Sequence, residues 1–413
     1  MSRKNIPVSG DRPRPTAAER APLSDSRFRR FATGNVINNV GETAFVGVVP
    51  LLLVQIYGPS AAALSVIATA LSGVLSPVVG AAIDTRGWRP FFYASLAVQS
   101  LSIGAVTAAL VAGRPPLAAL GVLLVVNAVA SLGYLSAWKV GLNELFPDFR
   151  RRARGSLNTL FYMTGIVGPL TAFVILSTNG VTLFLIFYVI TSCAPVVALL
   201  QIDRGRPRAA SRTDGTAMRA LSAGLTYIRG SVVLRRLLVL RCLASALPST
   251  LIGALIVLEF ESYAAAPLLI LAVSNAMVYL GNQYVSRMAD FREVEIVLVY
   301  GTMSLAGIAL LNVDSMYAFV AGVAVFGIAT GVGLSHFVLA TVVYSPPEIY
   351  GSISGVFGLA SSVLGLAVGV LLSRVDVIGL EAFYLILTVL AVGTFVAAVR
   401  YARTDDVANG GTA

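Results

Sequence analysis

The apolar residues of this chain come in unbroken runs of about twenty, and that spacing restricts it to one kind of fold. A helix needs ~20 predominantly apolar residues to cross the roughly 30 Å hydrocarbon core of a bilayer. Twelve windows meet this requirement: about 31–57, 61–83, 91–111, 116–138, 156–176, 181–200, 237–258, 264–286, 295–312, 316–344, 352–373 and 378–399. Strands of a membrane barrel alternate apolar and polar residues over roughly ten positions, and these windows do not alternate. The fold class read from them is an all-α integral membrane protein with twelve transmembrane helices. Composition agrees: 57% of the residues are hydrophobic and 12% charged, against about 25% charged in a soluble domain.

The net charge of +10 is a statement about topology. With the N-terminus placed in the cytoplasm, 28 of the 30 Lys and Arg fall on that side, and only Arg114 and Arg374 fall opposite. Excess positive charge stays on the cytoplasmic face, so both termini are expected there, in a multi-pass protein of the cell membrane. A nucleic-acid partner is not expected, because the basic residues follow the topology. Cys193 and Cys242 both lie inside spans, which argues against a disulfide framework. No His/Cys cluster, Ser-His-Asp set or G-x-x-x-x-G-K-[ST] loop is present. Neither a cofactor, nor a metal, nor enzyme activity is expected.

Residues 1–30 read as a disordered cytoplasmic tail rich in Pro, Arg and Ser. Residues 31–200 form a first bundle of six helices and 237–401 a second, with a short tail over 402–413. Between the bundles, 201–236 is a cytoplasmic linker. Its second part places Met218, Leu221, Leu225 and Ile228 at helical spacing, an amphipathic helix suited to the inner membrane surface. Gly165 and Gly365 hold matching places in the fifth and eleventh spans, which makes the bundles pseudo-symmetric.

A charged turn follows the second span: Gly80-Ala-Ala-Ile-Asp84-Thr-Arg86-Gly87-Trp-Arg89. The pattern G-x-x-x-D-x-R-G-x-R resembles the signature loop between the second and third helices of the major facilitator superfamily of transporters. A weaker echo, Gly281 followed by Arg287, Asp290 and Arg292, comes after the eighth span. Glu144-Leu-Phe-Pro147 with Arg150 to Arg154 resembles the loop before the fifth helix of that family. The resemblance covers about residues 31–401 and implies two six-helix bundles around a central cavity that work by alternating access. The loop is expected to act as a gate, Asp84 pairing with Arg86, Arg89 or a neighbouring helix N-terminus to latch the two bundles.

The first span contains the costliest residue to bury. Asn35, Asn38, Asn39 and Glu42 recur at i, i+3/i+4 and i+7 and share one face. Glu42 is about 16 Å into the span at 1.5 Å per residue, near the middle of the bilayer. An ionised carboxylate facing lipid there costs several kcal/mol, so this face should meet protein or a water-filled cavity. A carboxyl that gains and loses a proton as access alternates is what proton coupling requires. The bland alternative is a hydrogen-bonded carboxyl that locks a helix pair. Asn127 and Tyr134 in the fourth span and Asn275 in the eighth are further candidates for the cavity.

Gly165, Gly168 and Pro169 in the fifth span resemble the glycine-proline motif of drug/proton antiporters, although Leu170 to Phe173 depart from the family pattern. The membrane arginine often found in the fourth helix of that family is absent, and Asn127 stands at its depth. Arg241 is expected to snorkel to the cytoplasmic surface, and His336 to make a bond between helices. With no nucleotide-binding segment, transport would be driven by a gradient. The resemblance implies a monomeric, proton-coupled exporter of hydrophobic or amphipathic small molecules, such as drugs or secondary metabolites. The alternatives are a proton-coupled nutrient importer and a non-transporting membrane sensor or assembly partner.

Overall fold

A computed structural model of the chain describes residues 22–113, 115–146, 150–202, 217–246, 253–260, 266–287, 293–345 and 350–409. Among the described residues, all twelve apolar windows fall on helices. Single helices carry most of them: α1 (Ser26–Tyr57), α4 (Trp88–Ala112), α5 (Leu117–Leu145), α10 (Ala266–Arg287), α11 (Glu293–Leu311), α12 (Met316–Tyr344), α13 (Tyr350–Leu372) and α14 (Val375–Asn409). The second window is divided between α2 (Ala63–Val74) and α3 (Ser76–Arg86), because Pro77 cannot continue the backbone ladder. α8 (Val232–Ala246) and α9 (Gly253–Glu259) carry the seventh window. The fifth and sixth are joined as α6 (Arg150–Ile202), which turns at Gly180 where φ is +78°. Gly379 makes the same positive-φ turn at the matching place in α14. Glycine is required at both, because a Cβ is disfavoured there.

α1 starts one turn before its apolar window. Asp25 caps it by accepting hydrogen bonds from the backbone N–H groups of Arg27 (2.7 Å) and Phe28 (3.1 Å). The linker contains the amphipathic helix α7 (Ala217–Gly230), which packs on α13, α8 and α3. Ile228 is buried there and Leu225 is exposed, so only part of the expected apolar stripe is used for packing.

The first six spans (α1–α6) and the last six (α8–α14) form two halves that meet along α2/α3 with α13 and along α6 with α10. The two seams are counterparts. A Cβ on Gly165 of α6 would lie 3.4 Å from Asn275 of α10, and one on Gly365 of α13 would lie 3.6 Å from Ala70 of α2. The glycines noted as a repeat in the sequence therefore sit on the same surface of each half.

Burial separates two ends of the molecule. At the end holding the basic loops, the clusters keep to their own halves: Phe28, Trp88, Trp138 and Leu157 in the first, and Leu237, Tyr300, Phe337 and Ile353 in the second. At the opposite end two clusters cross the seam: one joins Leu51, Val54 and Val66 to Leu255, Phe260, Phe326 and Val368, and the other joins Phe45, Val48 and Phe184 to Leu268. The two halves are thus fused by apolar contact at the end away from the basic loops. The outer surface is apolar, with Leu101 73%, Ile190 65% and Leu385 64% exposed. A belt of this kind is unfavourable in water and suited to lipid.

Candidate functional site

The candidate residues of α1 turn toward different neighbours. Asn35 is buried; its amide donates to Phe31 O (2.7 Å), and its Oδ1 accepts from the Tyr134 hydroxyl of α5. Asn39 donates to Thr164 Oγ1 of α6. Thr43 Oγ1 donates to the Thr164 carbonyl at 2.9 Å. Glu42 is half-buried, and its Oε1 accepts from Ser131 Oγ of α5. The face that looks continuous on a helical wheel thus divides, with Asn35 and Glu42 turned to α5 and Asn39 to α6. All of it is held inside the first half.

Glu42 has no cationic partner among the described residues. The hydroxyls of Tyr134 and of Tyr188 on α6 lie within electrostatic range of it. Its second oxygen, Oε2, is buried with no hydrogen-bond partner, as are Asn38 Nδ2 and both amide atoms of Gln99 on α4. Each such orphan costs about 1–3 kcal/mol. Gln99 is 0% exposed and was not among the residues expected from sequence. The signal was present in Gln99-Ser100-Leu-Ser102, a polar run in the middle of the third span. Asn127 is buried and accepts from Ser102 of α4 at 3.2 Å. Toward the end opposite the basic loops, Phe45, Val48, Leu124 and Phe184 line an apolar crevice.

The glycine-proline segment of α6 serves two contacts. A Cβ on Gly168 would stand 2.8 Å from Ala44 N and 2.8 Å from Val40 O, so α6 lies directly on the α1 backbone beside Glu42. Gly165 faces the second half through Asn275. Pro169 lies within the same helix.

In the charged turn, the described contacts tie it to α5 of the first half. Gly87 ends α3 at φ +86°, its N–H bonded to Ile83 O at 2.9 Å. Glu144 Oε2 then accepts from Trp88 Nε1 (2.7 Å), and Arg89 Nη2 stands 3.6 Å from Glu144 Oε1. Arg89 is therefore bound within its own half. Arg86 is exposed, and Gly80 has open space where a Cβ would be. The side chain of Asp84 lies outside the described residues, as does the echo over 288–292. α3 does pack against α13 and α7, so the turn adjoins the seam.

Arg241 is engaged by two neighbouring helices. α8 begins at Val232, which puts Arg241 about 14 Å along the helix. Its guanidinium lies 5.3 Å from the centroid of Phe357 on α13 and donates to Thr341 Oγ1 of α12 at 3.2 Å. Glu259 of α9 accepts from the Tyr384 hydroxyl of α14. His336 is 0% exposed, its ring 5.6 Å from that of Phe337.

The sequence profile of the Major Facilitator Superfamily matches residues 31–370. The chain belongs to that superfamily. Its structure is similar to a POT family transporter in complex with a thioalcohol-conjugated peptide (TM-score 0.70, 11% identity, covering 90% of this chain and 95% of that one). It is also similar to a bacterial homologue of the iron transporter ferroportin in an inward-facing state (0.69, 14%, 91% and 98%). A third similar structure is the nucleoside transporter NupG (0.65, 13%, 91% and 98%). At these identities the likeness is one of fold. No curated protein matches the chain significantly. The superfamily and these folds make the chain a membrane transporter of small molecules rather than an enzyme.

Proposed function

We propose that this superfamily member couples proton movement to the export of hydrophobic or amphipathic small molecules, with Glu42 as the proton carrier. The observation that carries the reading is a carboxyl in mid-span with no cationic partner, held by Ser131 through one oxygen and orphaned at the other. A carboxyl so placed is costly as a lone anion and stable when protonated, which is what a carrier needs. In this reading the basic end faces the cytoplasm of the cell, with both termini there, and the protein acts as a monomer. The halves comprise 31–200 and 237–401, joined by 201–236.

The apolar clusters across the seam then close the outer side, so the conformation is sealed outward and binds its next proton or substrate from within. The close approach of α6 to α1 at Gly168 supports the export assignment, since it brings the helix that meets the second half onto the α1 backbone at Val40 and Ala44, flanking Glu42. The apolar crevice that begins one turn beyond Glu42, at Phe45, suits an apolar ligand. One feature favours import of a polar nutrient as a second reading: Arg241 is held fixed inside the second half, as an anionic substrate would require.

Proteoliposomes with an imposed pH gradient and a hydrophobic dye such as ethidium as probe test the reading. Dye movement should follow the gradient in the parent protein and vanish in Glu42→Gln. Equal, gradient-dependent transport by both proteins removes Glu42 from the mechanism.

A further inference from the structure

Four orphaned buried atoms belong to three residues of the first half: Asn38 Nδ2, Glu42 Oε2, and Gln99 Nε2 and Oε1. Asn38 and Glu42 are one turn apart on α1. The level of Gln99 follows from the register of α4 against α5. The ring of Phe92 lies 5.4 Å from that of Tyr134, and Ser102 bonds Asn127 at 3.2 Å. Gln99 lies between Phe92 and Ser102 on α4, as Ser131 lies between Tyr134 and Asn127 on the antiparallel α5. Ser131 is the residue bonded to Glu42. Gln99 therefore lies within about a turn of the level of Ser131 and the Glu42 carboxyl.

From this register we infer that Gln99, Asn38 and Glu42 enclose a buried water-binding site within the first half, in which Gln99 positions the proton of Glu42. The inference rests on Glu42 being a proton carrier. Orphaned amide N–H, amide oxygen and carboxyl oxygen supply both donors and acceptors, and a buried water, which makes two to four hydrogen bonds, satisfies such a mixture. A direct bond from the glutamine would fix the carboxyl in one protonation state, whereas a bridging water can reorient as the proton arrives and leaves.

The charges around the site point to a proton. The titratable groups facing Glu42 are Tyr134 from α5 and Tyr188 from α6. The charged residues of the packed helices are Arg89 on α4, Lys139 and Glu144 on α5, and Arg150, Arg151, Arg152 and Arg154 on α6, all at the basic end. One carboxyl among neutral groups is neutralised by a single positive charge. The orphaned N–H groups of Asn38 and Gln99 suit water better than a metal cation, to which an N–H offers no lone pair.

Infrared titration of the full-length protein in lipid nanodiscs tests the site through the protonated-carboxyl stretch. The band is expected in the parent protein and absent in Glu42→Gln. In Gln99→Met, a replacement of similar volume, the titration midpoint should move by about one pH unit, the proton being held about tenfold more tightly without its water. Gln99→Asn should restore part of the shift. Ser100→Ala, on the neighbouring face bonded to Ser192 of α6, should leave the midpoint unmoved. Should Gln99→Met fail to fold, Asn38→Leu carries the same test.

A titration of Gln99→Met that overlays the parent overturns the inference. So does a midpoint that moves when choline replaces sodium, because the site would then hold a metal cation. If the band titrates and moves as expected but Glu42→Gln still transports the dye, the site stands and the transport assignment fails. If transport fails in Glu42→Gln while Gln99→Met titrates as the parent, the assignment stands and the site fails.

Discussion

Arg89 Nη2 stands 3.6 Å from Glu144 Oε1, and both residues belong to the first half of the molecule. The cation that looks like a latch between bundles in the signature turn is occupied inside one of them. With the Trp88 indole on the same carboxylate, the pair fixes the start of α4 to the end of α5. The turn is thus tied to a corner of the first half.

That arrangement separates two substitutions at Glu144. Glu144→Gln keeps an acceptor for Trp88 Nε1 and loses the partly exposed ion pair, at a cost of about 0.2–1 kcal/mol. Glu144→Ala loses both and leaves the indole N–H unpaired, at a cost of about 1.5–3 kcal/mol. Thermal unfolding of the purified protein should rank parent, glutamine and alanine in that order. Equal losses for the two variants would mean that the indole bond contributes nothing.

The two glycines of α6 should respond differently to one added methyl group. Gly168→Ala puts a Cβ 2.8 Å from backbone atoms of α1, which cannot yield without moving the helix. A loss of roughly 1–3 kcal/mol is expected. Gly165→Ala meets Asn275 at 3.4–3.6 Å, ordinary contact, and should be nearly neutral in stability. Unfolding temperatures of the two variants check the contrast.

Tyr134 and Asn35 form a buried pair between α5 and α1. Tyr134→Phe leaves Asn35 Oδ1 without its donor and should cost about 1–3 kcal/mol. The double variant Tyr134→Phe/Asn35→Leu should recover part of that loss, because an apolar pair carries no unmet bond. Additive losses would show that the hydrogen bond is not what couples the two positions.

Arg241 should be sensitive to the shape of the cation as well as its charge. Arg241→Lys keeps the charge and loses the planar stack on Phe357. A double-mutant cycle with Phe357→Leu should give a coupling of about 0.5–2 kcal/mol. Zero coupling would mean that Thr341 alone holds the guanidinium.

The first half of Glu42's environment was legible in the sequence and the second was not. Asn35, Asn38, Asn39 and Glu42 announce themselves because polar groups in a mid-membrane span are costly, and their spacing puts them on neighbouring turns. Which helix each one meets is set by how α1 rotates against α5 and α6, and that rotation depends on contacts such as Gly168 on Ala44, which arise only on packing. The polar run at Gln99 was visible too, but that Gln99 is fully buried against α5 is set by the register of the two helices. The partners of Arg241, Phe357 on α13 and Thr341 on α12, come from other helices and could not be read from the seventh span alone.

The sequence by itself determined the number of spans, the pseudo-symmetric halves and the asymmetry of charge between the two ends. Those follow from the free energy of moving side chains between water and hydrocarbon, a property of each residue and its near neighbours. Only the tertiary structure decided that Arg89 is bound within one half, that the halves are fused by apolar contact at the end away from the basic loops, and that Glu42 lies among neutral groups. Those depend on which helix faces meet across the bundle, and close packing fixes that choice only when all the helices are present.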